Sequence, residues 1–346
     1  MIDVGVIGFG LAGRAFHAQV IRATPGLRLA AIVQRRGNEA VEMFPYARVV
    51  RSIEELLSMR EIRLVVIATP NATHAPIARQ CLEAGRDVVV DKPFTTTLQE
   101  AAELVELGRK CGRLLTVYQN RRYDGDFQAL RKIVADKRLG RILRFETNYD
   151  RFRPELKQGA WRERIEPGAG ILFDIAPHLI DHAMVLFGVP EAVTADVRVE
   201  RASAVVDDSF DMMLHYAAGM RAVLRSTMLA VVTRPRFVVH GTRGSFVKQT
   251  FDPQEINLRR GIIPENGSWG GEPEEHWGVI TTMEDDVAVN RSVPSANSDY
   301  RDYYANLRDA MLGRAELAVT PEYALQVMRV LELARESSRK GCTIPW

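Results

Sequence analysis

The stretch MIDVGVIGFGLAGR at residues 1–14 decides the fold, because a short apolar strand runs directly into a G-x-G-x-x-G turn. Gly8 allows the tight turn, Gly10 lets the backbone approach a pyrophosphate, and Gly13 lets the following helix pack closely on the sheet. That helix, from Leu11 onward, offers unpaired N–H groups and a positive dipole end to an anion. The predicted dinucleotide-binding loop consists of Gly8, Phe9, Gly10, Leu11, Ala12 and Gly13.

The segments around the turn support this interpretation. A β-branched run at Leu27–Val33 completes a strand–helix–strand unit of about thirty residues. Strand-like and helix-like segments continue to alternate up to about Tyr118, which predicts a parallel sheet. The predicted strands are Val4–Ile7, Leu27–Val33, Leu64–Ala68, Val88–Val90 and Leu114–Tyr118, and the predicted helices between them are Ser52–Met59, Ala75–Ala84 and Leu98–Cys111.

From Arg141 the chain consists of longer strand-like segments joined by short turns, which predicts an antiparallel sheet. The predicted strands are Ile142–Arg153, Ala192–Arg201, Ser209–Ala217, Arg221–Ala230 and Arg236–His240, and the predicted helices are Asp126–Asp136, Asp174–Phe187, Tyr300–Leu312 and Pro321–Lys340. Residues Asn257–Asn297 are predicted to form a long loop. The predicted fold class is α/β, with an N-terminal Rossmann domain at 1–121 and a C-terminal α+β domain at 122–346 that carries a large open antiparallel sheet.

The composition excludes several classes of function. A net charge of +2 without a long basic run argues against nucleic acid and membrane surfaces as partners. Three distant cysteines and no C-x-x-C spacing predict no disulfide framework and no metal site. The first strand begins almost at Met1 and no apolar run reaches transmembrane length, so we expect a cytoplasmic protein.

The end of the second strand indicates the cofactor. Rossmann domains place a carboxylate there for the ribose 2′-OH of NAD, or arginine for the 2′-phosphate of NADP. Here the sequence has Gln34, Arg35 and Arg36, with no acid before Glu39. Two guanidiniums can pair with a phosphate, so NADP(H) is favoured and NAD(H) remains an alternative.

Asp91, Lys92 and Pro93 follow the apolar strand Val88–Val90. A lysine at the carboxyl end of a parallel strand lies where open α/β sheets bind ligands, although a surface lysine beside a proline is the plain alternative. Residues after the preceding strand are candidate contacts on the nicotinamide side of the cofactor: Thr69, Pro70, Asn71 and His74.

Asp174 and His178 are four residues apart and so share one face of a helix. A carboxylate beside an imidazole suits a general base that works near neutral pH. The alternative makes Asp174 a helix cap and His178 a packing residue. Pro177 is tolerated if the helix begins near Asp174, because its missing N–H is then one of the unpaired groups of the first turn.

Polar residues at the predicted domain junction are candidates for binding hydroxyl groups of a substrate. They are Gln119, Asn120, Arg121 and Arg122, and Trp161 is a further candidate as a sugar-stacking side chain. A solvated linker would have a similar composition. His17, His182, His215, His240 and His276 have no partner at a telling spacing and receive no role.

Together these motifs resemble the glucose–fructose oxidoreductase/inositol dehydrogenase/MocA family over essentially the whole chain. They are GFGLAG at 8–13, ATPNATH at 68–74, DKP at 91–93 and D-x-x-x-H-x-x-D at 174–181. AFHA at 15–18, QNRRYD at 119–124, DRFRP at 150–154 and APHLIDH at 176–182 resemble the subgroup of NADP-dependent scyllo-inositol dehydrogenases. The family usually has Glu in place of Asp91.

The resemblance implies that Lys92 contacts both nicotinamide and the reacting hydroxyl, with Asp174 and His178 as the acid–base pair. It also implies a homodimer or homotetramer formed through the C-terminal sheet. The expected function is NADP-dependent interconversion of a secondary alcohol and a ketone on a cyclic polyol or sugar. An aldose, anhydro-sugar or imine substrate is an alternative, and a non-catalytic NADP-sensing regulator is an alternative of another class.

Overall fold

The computed structural model describes residues 1–157, 159–262 and 271–346. In this part of the chain, contacts group the residues into two compact units. The first unit contains Met1–Asn120, 254–262 and Asp299–Met328, and the second contains the remainder. The predicted domain ranges 1–121 and 122–346 are continuous, so they differ from this grouping in where they place 254–262 and Asp299–Met328.

Six strands of the described chain form the parallel sheet of the first unit, in the order β3-β2-β1-β4-β5-β6. They are β1 (Ile2–Ile7), β2 (Leu27–Val33), β3 (Arg48–Val50), β4 (Ile62–Ile67), β5 (Asp87–Val90) and β6 (Leu115–Val117). The central strands are buried along nearly their whole length, because helices cover both faces of such a sheet. The predicted Rossmann sheet is confirmed, with β3 as an additional edge strand.

The helices link these strands and continue through the second half of the chain. They are a π-helical segment at Ala12–Ala18, α1 (Gln19–Ala23), α2 (Glu39–Met43), α3 (Ile53–Ser58), α4 (His74–Glu83), α5 (Leu98–Cys111), α6 (Gly125–Ala135), α7 (Ile171–Phe187), α8 (Gln254–Arg259), α9 (Arg301–Met311) and α10 (Pro321–Lys340). Thr97 and Glu100 form a capping box that fixes the start of α5. Among the described residues, no helix is long and apolar enough to cross a membrane.

The second unit is built on a sheet of nine described strands, in the order β14-β13-β12-β11-β7-β10-β9-β8-β15. They are β7 (Ile142–Asn148), β8 (Ala192–Arg198), β9 (Ser209–His215), β10 (Arg221–Thr227), β11 (Phe237–Gly241), β12 (Gly244–Lys248), β13 (Gly278–Glu284), β14 (Val287–Val293) and β15 (Ile344–Pro345). The sheet is mostly antiparallel, as predicted, but β7 and β10 pair in parallel. Helix α7 packs against β7, β9 and β10.

The loop predicted at Asn257–Asn297 is wrong for most of its described residues. Strands β13 and β14 form a hairpin there, and most side chains of β14 are exposed. Asp285 and Asp286 form its turn with positive φ angles of 48° and 60°, a conformation that aspartate tolerates. Without glycine in the turn or apolar alternation in the strands, the segment does not resemble a hairpin in sequence. Residues 263–270 of the predicted loop lie outside the described chain.

Helix α7 begins at Ile171, three residues before the predicted start, so the expectation for Pro177 is also wrong. Asp207 holds the earlier start: its carbonyl accepts the N–H of Ile171 at 2.8 Å and its carboxylate accepts the N–H of Leu172 at 2.7 Å. Pro177 therefore lies inside the helix, where it has no N–H to donate to the carbonyl of Phe173. A cap supplied from 35 residues away in sequence has no local signal.

Candidate active site

The strands of the first unit end in register at their carboxyl ends. Ile7 pairs with Val33 and Ile67, Ile67 with Val90, and Val90 with Val117. The residues two positions past these strand ends therefore follow the same edge of the sheet. They are Phe9, Arg35, Thr69, Lys92 and Gln119, all predicted site residues. Such an edge is where open α/β sheets bind ligands.

The three glycines of the turn differ in why the position suits a residue without a side chain. Gly8 has φ +99°, and a Cβ on it would lie 2.5 Å from the carbonyl oxygen of Ala68. A Cβ on Gly13 would overlap the carbonyl oxygen of Gly8. A Cβ on Gly10 would meet no atom of the described chain within 4 Å. The protein itself thus requires Gly8 and Gly13, whereas Gly10 leaves open space that fits the close approach of a pyrophosphate.

The helix after the turn begins without a side-chain cap and without an acidic residue in its first turn. Ala12–Ala18 is wound as a π-helix before α1 continues it. Within the described part of the chain, no capping side chain and no first-turn acid satisfies its N-terminal N–H groups, which fits an anionic ligand. Turns of π-helix occur frequently at functional sites.

Arg35 and Arg36 are exposed and take part in no ion pair or hydrogen bond within the described residues. Their loop is held by Arg51, the residue after the neighbouring strand β3, which was not among the predicted site residues. Its guanidinium donates to the carbonyls of Gln34 at 2.9 Å and Gly37 at 2.7 Å. The two arginines are therefore carried by an anchored loop and remain accessible to a phosphate.

Gln34 and Glu39 are occupied within this loop. The Gln34 side chain accepts the N–H of Ala40 at 2.9 Å and donates to the Glu39 carboxylate. Hydrogen bonds from the Glu39 backbone N–H and from the Gln34 amide lower the pKa of Glu39. Glu39, the first acid after β2, thus takes part in the hydrogen bonds at the start of α2.

His74 joins the loops that follow β4 and β5. Its Nδ1 lies 2.8 Å from the carbonyl oxygen of Pro93 and its Nε2 lies 3.0 Å from that of Thr69. The ring is fully buried, and this burial lowers its pKa. Pro70 accepts a hydrogen bond from Thr73 at 2.7 Å, and Asn71 begins the short 3₁₀ turn between them. His74 therefore positions the loops that carry Thr69 and Lys92.

Asp91 and Lys92 are partly buried, and the Lys92–Pro93 peptide bond is cis. The N–H of Lys92 donates to Asp91 Oδ1 at 2.8 Å. Burial acts to raise the pKa of Asp91, but His17 and Lys92 outweigh it and the pKa is lowered. The carboxylate is thus charged and fixes the backbone from which the Lys92 side chain extends.

Gln119 and Asn120 close the first unit at the end of β6. Gln119 is 2% exposed, and its Oε1 has no hydrogen-bond partner within the described residues. A buried carbonyl oxygen without a partner is costly unless a ligand or water donates to it. Asn120 is buried at the start of a 3₁₀ turn. Gln119 follows the end of β6 by two residues, as Lys92 follows the end of β5, and is the stronger candidate for contacting a ligand.

In the second unit, Asp174 lies in the first turn of α7 between two guanidiniums. Its carboxylate oxygens lie 3.3 Å from Arg162 Nε and 3.6 Å from Arg151 Nη1. The Arg162 guanidinium also lies 4.5 Å from the centre of the Trp161 ring. The structure thus connects Trp161 to Asp174 through Arg162. Sequence analysis missed Arg151, although the DRFRP motif contains it.

Tyr149 lies between Arg151, the partner of Asp174, and Arg121. Arg121 Nη2 donates to its hydroxyl at 3.1 Å, and the Arg121 and Arg151 guanidiniums lie 5.0 Å and 4.6 Å from the ring centre. Burial acts to raise the pKa of Tyr149, but the charges of Arg121 and Arg151 outweigh it and lower the pKa to about 8. This phenol, too, was not predicted as a site residue, since no sequence pattern marks it.

Arg122 forms a buried ion pair with Asp181, one helical turn beyond His178. Its Nη2 lies 2.5 Å from Asp181 Oδ1 and its Nε lies 3.2 Å from Oδ2. His178 is 6% exposed on α7, next to this pair in sequence. The second unit therefore links Arg121, Asp174 and Trp161 through Tyr149, Arg151 and Arg162, while Arg122 pairs separately with Asp181 on α7, the helix that also carries His178.

The fold and these residues define a dehydrogenase or reductase that uses a nicotinamide dinucleotide. Residues 2–119 match the oxidoreductase family with an NAD-binding Rossmann fold, and residues 127–247 match the GFO/IDH/MocA C-terminal domain. The chain belongs to the GFO/IDH/MocA oxidoreductase family.

Two curated relatives and one solved structure illustrate the similarity. The chain is 42% identical to the uncharacterized oxidoreductase YdgJ of Escherichia coli, covering 99% of this chain and 98% of that protein. It is 36% identical to the scyllo-inositol 2-dehydrogenase (NADP(+)) IolW of Bacillus subtilis, covering 99% and 95%. The yvaA structure from Bacillus subtilis superposes with a TM-score of 0.96 at 36% identity, covering 100% and 98%.

Proposed function

We propose that this chain interconverts a secondary alcohol and a ketone on a cyclic polyol or sugar of the scyllo-inositol and inosose type, with NADP(H) as the favoured cofactor. The observation that carries the proposal is the sheet edge of the first unit, where Lys92, Gln119 and the glycine turn directly follow strand ends that are paired in register. The full-length similarity to an NADP⁺-dependent scyllo-inositol dehydrogenase supports the substrate class.

The residues of the chain have separate roles in this proposal. The open space at Gly10 and the uncapped helix after it would hold the pyrophosphate, and Arg35 and Arg36 the 2′-phosphate. Bound there, the nicotinamide supplies the hydride acceptor for oxidation of the alcohol. His178 takes the proton of the reacting hydroxyl as general base, and the Lys92 ammonium stabilises the alkoxide that develops. Asp174 stabilises the imidazolium of His178.

A substrate panel tests the function. Inososes, ketoses, aldoses, an anhydro-ketose and a cyclic imine are each supplied with NADPH and with NADH, and oxidation of the cofactor is followed at 340 nm. We expect the highest kcat/KM with an inosose or another cyclic ketone and NADPH. A preference for an aldose, the anhydro-sugar or the imine would replace the proposed substrate class. Tight NADPH binding without turnover of any compound would favour the non-catalytic regulator.

The role of His178 is tested by His178→Ala, with His240→Ala as the matched control on an exposed strand position. Loss of a general base lowers kcat by a factor of about 10² to 10⁴. NADPH affinity, measured by quenching of protein fluorescence, should remain within twofold of wild type. A turnover near the wild-type rate in His178→Ala would remove the assignment.

The cofactor preference is tested by replacing Arg35 and Arg36 together with serine. Each charge-assisted hydrogen bond to a phosphate contributes roughly 1.5–3 kcal/mol, so NADPH affinity should fall by at least tenfold while NADH affinity stays unchanged. Arg48→Ser is the control, because it removes an exposed charge from the neighbouring strand β3. Equal weakening of both cofactors in the double variant contradicts the 2′-phosphate role.

We also propose a homodimer or homotetramer that forms through the second unit, in the cytoplasm and without a nucleic-acid or membrane partner. Apolar side chains after β7 and β10 support such an interface: Phe152, Val231 and Val232 are 54%, 74% and 88% exposed. Light scattering should give a multiple of 38.8 kDa, and Val232→Glu should lower it. A monomeric mass for the wild-type chain would reject the interface.

A further inference from the structure

A buried chain of polar groups in the first unit links the helix after the glycine turn to the backbone of Lys92. His17, in the π-helical segment, is fully buried. Its Nδ1 lies 2.7 Å from the hydroxyl of Tyr304, and its Nε2 lies 3.8 Å from Asp91 Oδ1. The same Asp91 oxygen accepts the N–H of Lys92. The order of groups is thus Tyr304, His17, Asp91 and Lys92.

The contact with Tyr304 can select which nitrogen of His17 carries the hydrogen. Burial raises the pKa of Tyr304 well above its ordinary value, so its hydroxyl keeps its proton and is available to donate to Nδ1. A neutral imidazole that accepts at Nδ1 carries its hydrogen on Nε2. That N–H is on the nitrogen near Asp91. Among the described residues Nε2 has no hydrogen-bond acceptor within normal range.

Aromatic packing fixes the ring in this place. The Tyr118 ring lies 4.2 Å from the His17 ring, and its hydroxyl donates to the carbonyl of Phe16 at 2.9 Å. Tyr118 also contacts the rings of Tyr303 and Tyr304 at 4.8 Å and 5.6 Å. The imidazole is therefore held by α9 and by Tyr118, which follows the end of β6. Strand β6 in turn pairs with β5, the strand that precedes Asp91 and Lys92.

We propose that His17 is a positioning residue for Lys92, which acts by holding the Asp91 carboxylate and which Tyr304 keeps in the tautomer with hydrogen on Nε2. The proposal rests on the assigned role of Lys92 in the proposed function. The proposal assigns a role to His17 of the AFHA motif and to Asp91 of the DKP motif, where the family usually has the longer glutamate. An aspartate at position 91 both accepts the Lys92 N–H and lies near the imidazole. The Asp91 carboxylate accepts the Lys92 N–H and lies 3.8 Å from an imidazole nitrogen, so its movement is restricted on both sides and so is that of the backbone next to it.

Tyr304→Phe and Tyr303→Phe form a matched pair of variants. Both remove one hydroxyl from neighbouring residues that contact Tyr118, but the Tyr303 hydroxyl lies 3.2 Å from Thr116 Oγ1 and not beside His17. Nitrogen-15 NMR of the protein without cofactor reads the tautomer of His17, and amide hydrogen exchange reads the hydrogen bond of Lys92. In Tyr304→Phe we expect a mixture of tautomers and exchange of the Lys92 amide about tenfold faster, since its acceptor is no longer held. Tyr303→Phe should match wild type in both.

A second pair tests His17 itself. His17→Gln can place an amide N–H where Nε2–H stands, whereas His17→Met has similar volume and no donor. We expect turnover to fall about tenfold in His17→Met, with NADPH affinity within twofold of wild type, and to recover in His17→Gln. Unchanged Lys92 exchange in Tyr304→Phe, or equal loss in the Gln and Met variants, overturns the proposal. If no substrate is turned over, the function fails, and the tautomer and exchange measurements still decide the role of His17.

Discussion

The candidate-site residues of the two units are held by different forces. In the first unit the backbone dominates: strand ends in register, a glycine turn and the partly buried Asp91 carboxylate place Phe9, Thr69, Lys92 and Gln119 along one edge. In the second unit ion pairs dominate, and arginines alternate with aspartates around α7. The backbone edge should be destabilised by an added atom that overlaps its neighbours, whereas the ion pairs should be destabilised when a buried charge loses its partner.

Arg236 forms fully buried ion pairs in the second unit, and its removal should have the largest effect on stability. The side chain is fully buried, with Nη2 at 2.8 Å from Asp124 and Nε at 3.0 Å from Asp126. Arg236→Met removes the cation that pairs with Asp126 and one of the two that pair with Asp124, both buried, which costs about 3–5 kcal/mol of unfolding free energy. Urea denaturation measures this loss directly as a lower midpoint.

The control is Arg79→Met, since Arg79 pairs with Glu103 on the surface with both side chains nearly half exposed. Such a pair contributes no more than about 1 kcal/mol. Similar midpoints for the two variants would mean that buried charge does not hold the second unit together, and the contrast between the units would fail.

The backbone edge is tested by Gly13→Ala. Its methyl group would overlap the carbonyl oxygen of Gly8, so the turn or the helix must shift, at a cost of about 1–3 kcal/mol. The methyl group of Gly10→Ala would meet no described atom within 4 Å, so this variant should leave stability within about 0.5 kcal/mol of wild type. Urea denaturation separates the two.

Gly10→Ala, which serves as a control for stability, is itself the test variant for dinucleotide binding. Its open side is the space assigned to the pyrophosphate, so Gly10→Ala should weaken NADPH binding by at least tenfold without unfolding the protein. Unchanged NADPH affinity in this variant would show that the pyrophosphate lies elsewhere.

The first unit was predictable because its signals are local. Leu27–Val33 and Leu98–Cys111 have the predicted bounds, since a buried parallel strand is a continuous apolar run and a capping box marks a helix start. The glycine turn also follows from neighbouring residues. Strand β3 was missed because three edge residues carry too little periodicity to be recognised.

The interactions that complete the candidate site are not local. Tyr304 reaches His17 across 287 residues, and Asp207 caps α7 across 35. A histidine or aspartate looks the same in sequence whether its partner is a distant side chain or water. His17 was given no role for this reason, although it lies in a motif that the family resemblance had already marked.

Tyr149 gives the finest test of the ion-pair cluster. The guanidiniums of Arg121 and Arg151 favour the phenolate, so the folded pKa of about 8 lies below the ordinary value of 10.0. Absorbance at 295 nm should therefore show one tyrosine that ionises with a midpoint near pH 8, absent in Tyr149→Phe. Because the folded pKa is the lower one, the ionisation stabilises the fold above pH 10, and this contribution is lost as pH falls through 8.

Arg151→Gln separates the charge from the burial that opposes it. Removing one guanidinium 4.6 Å from the ring leaves burial in place, so the midpoint should rise toward 10 while the fold persists. The difference in unfolding free energy between wild type and Tyr149→Phe should then lose its dependence on pH above 8. A midpoint that stays near 8 in Arg151→Gln would assign the shift to Arg121 and Arg236 alone, and the partner of Asp174 would not belong to the cluster that controls this phenol.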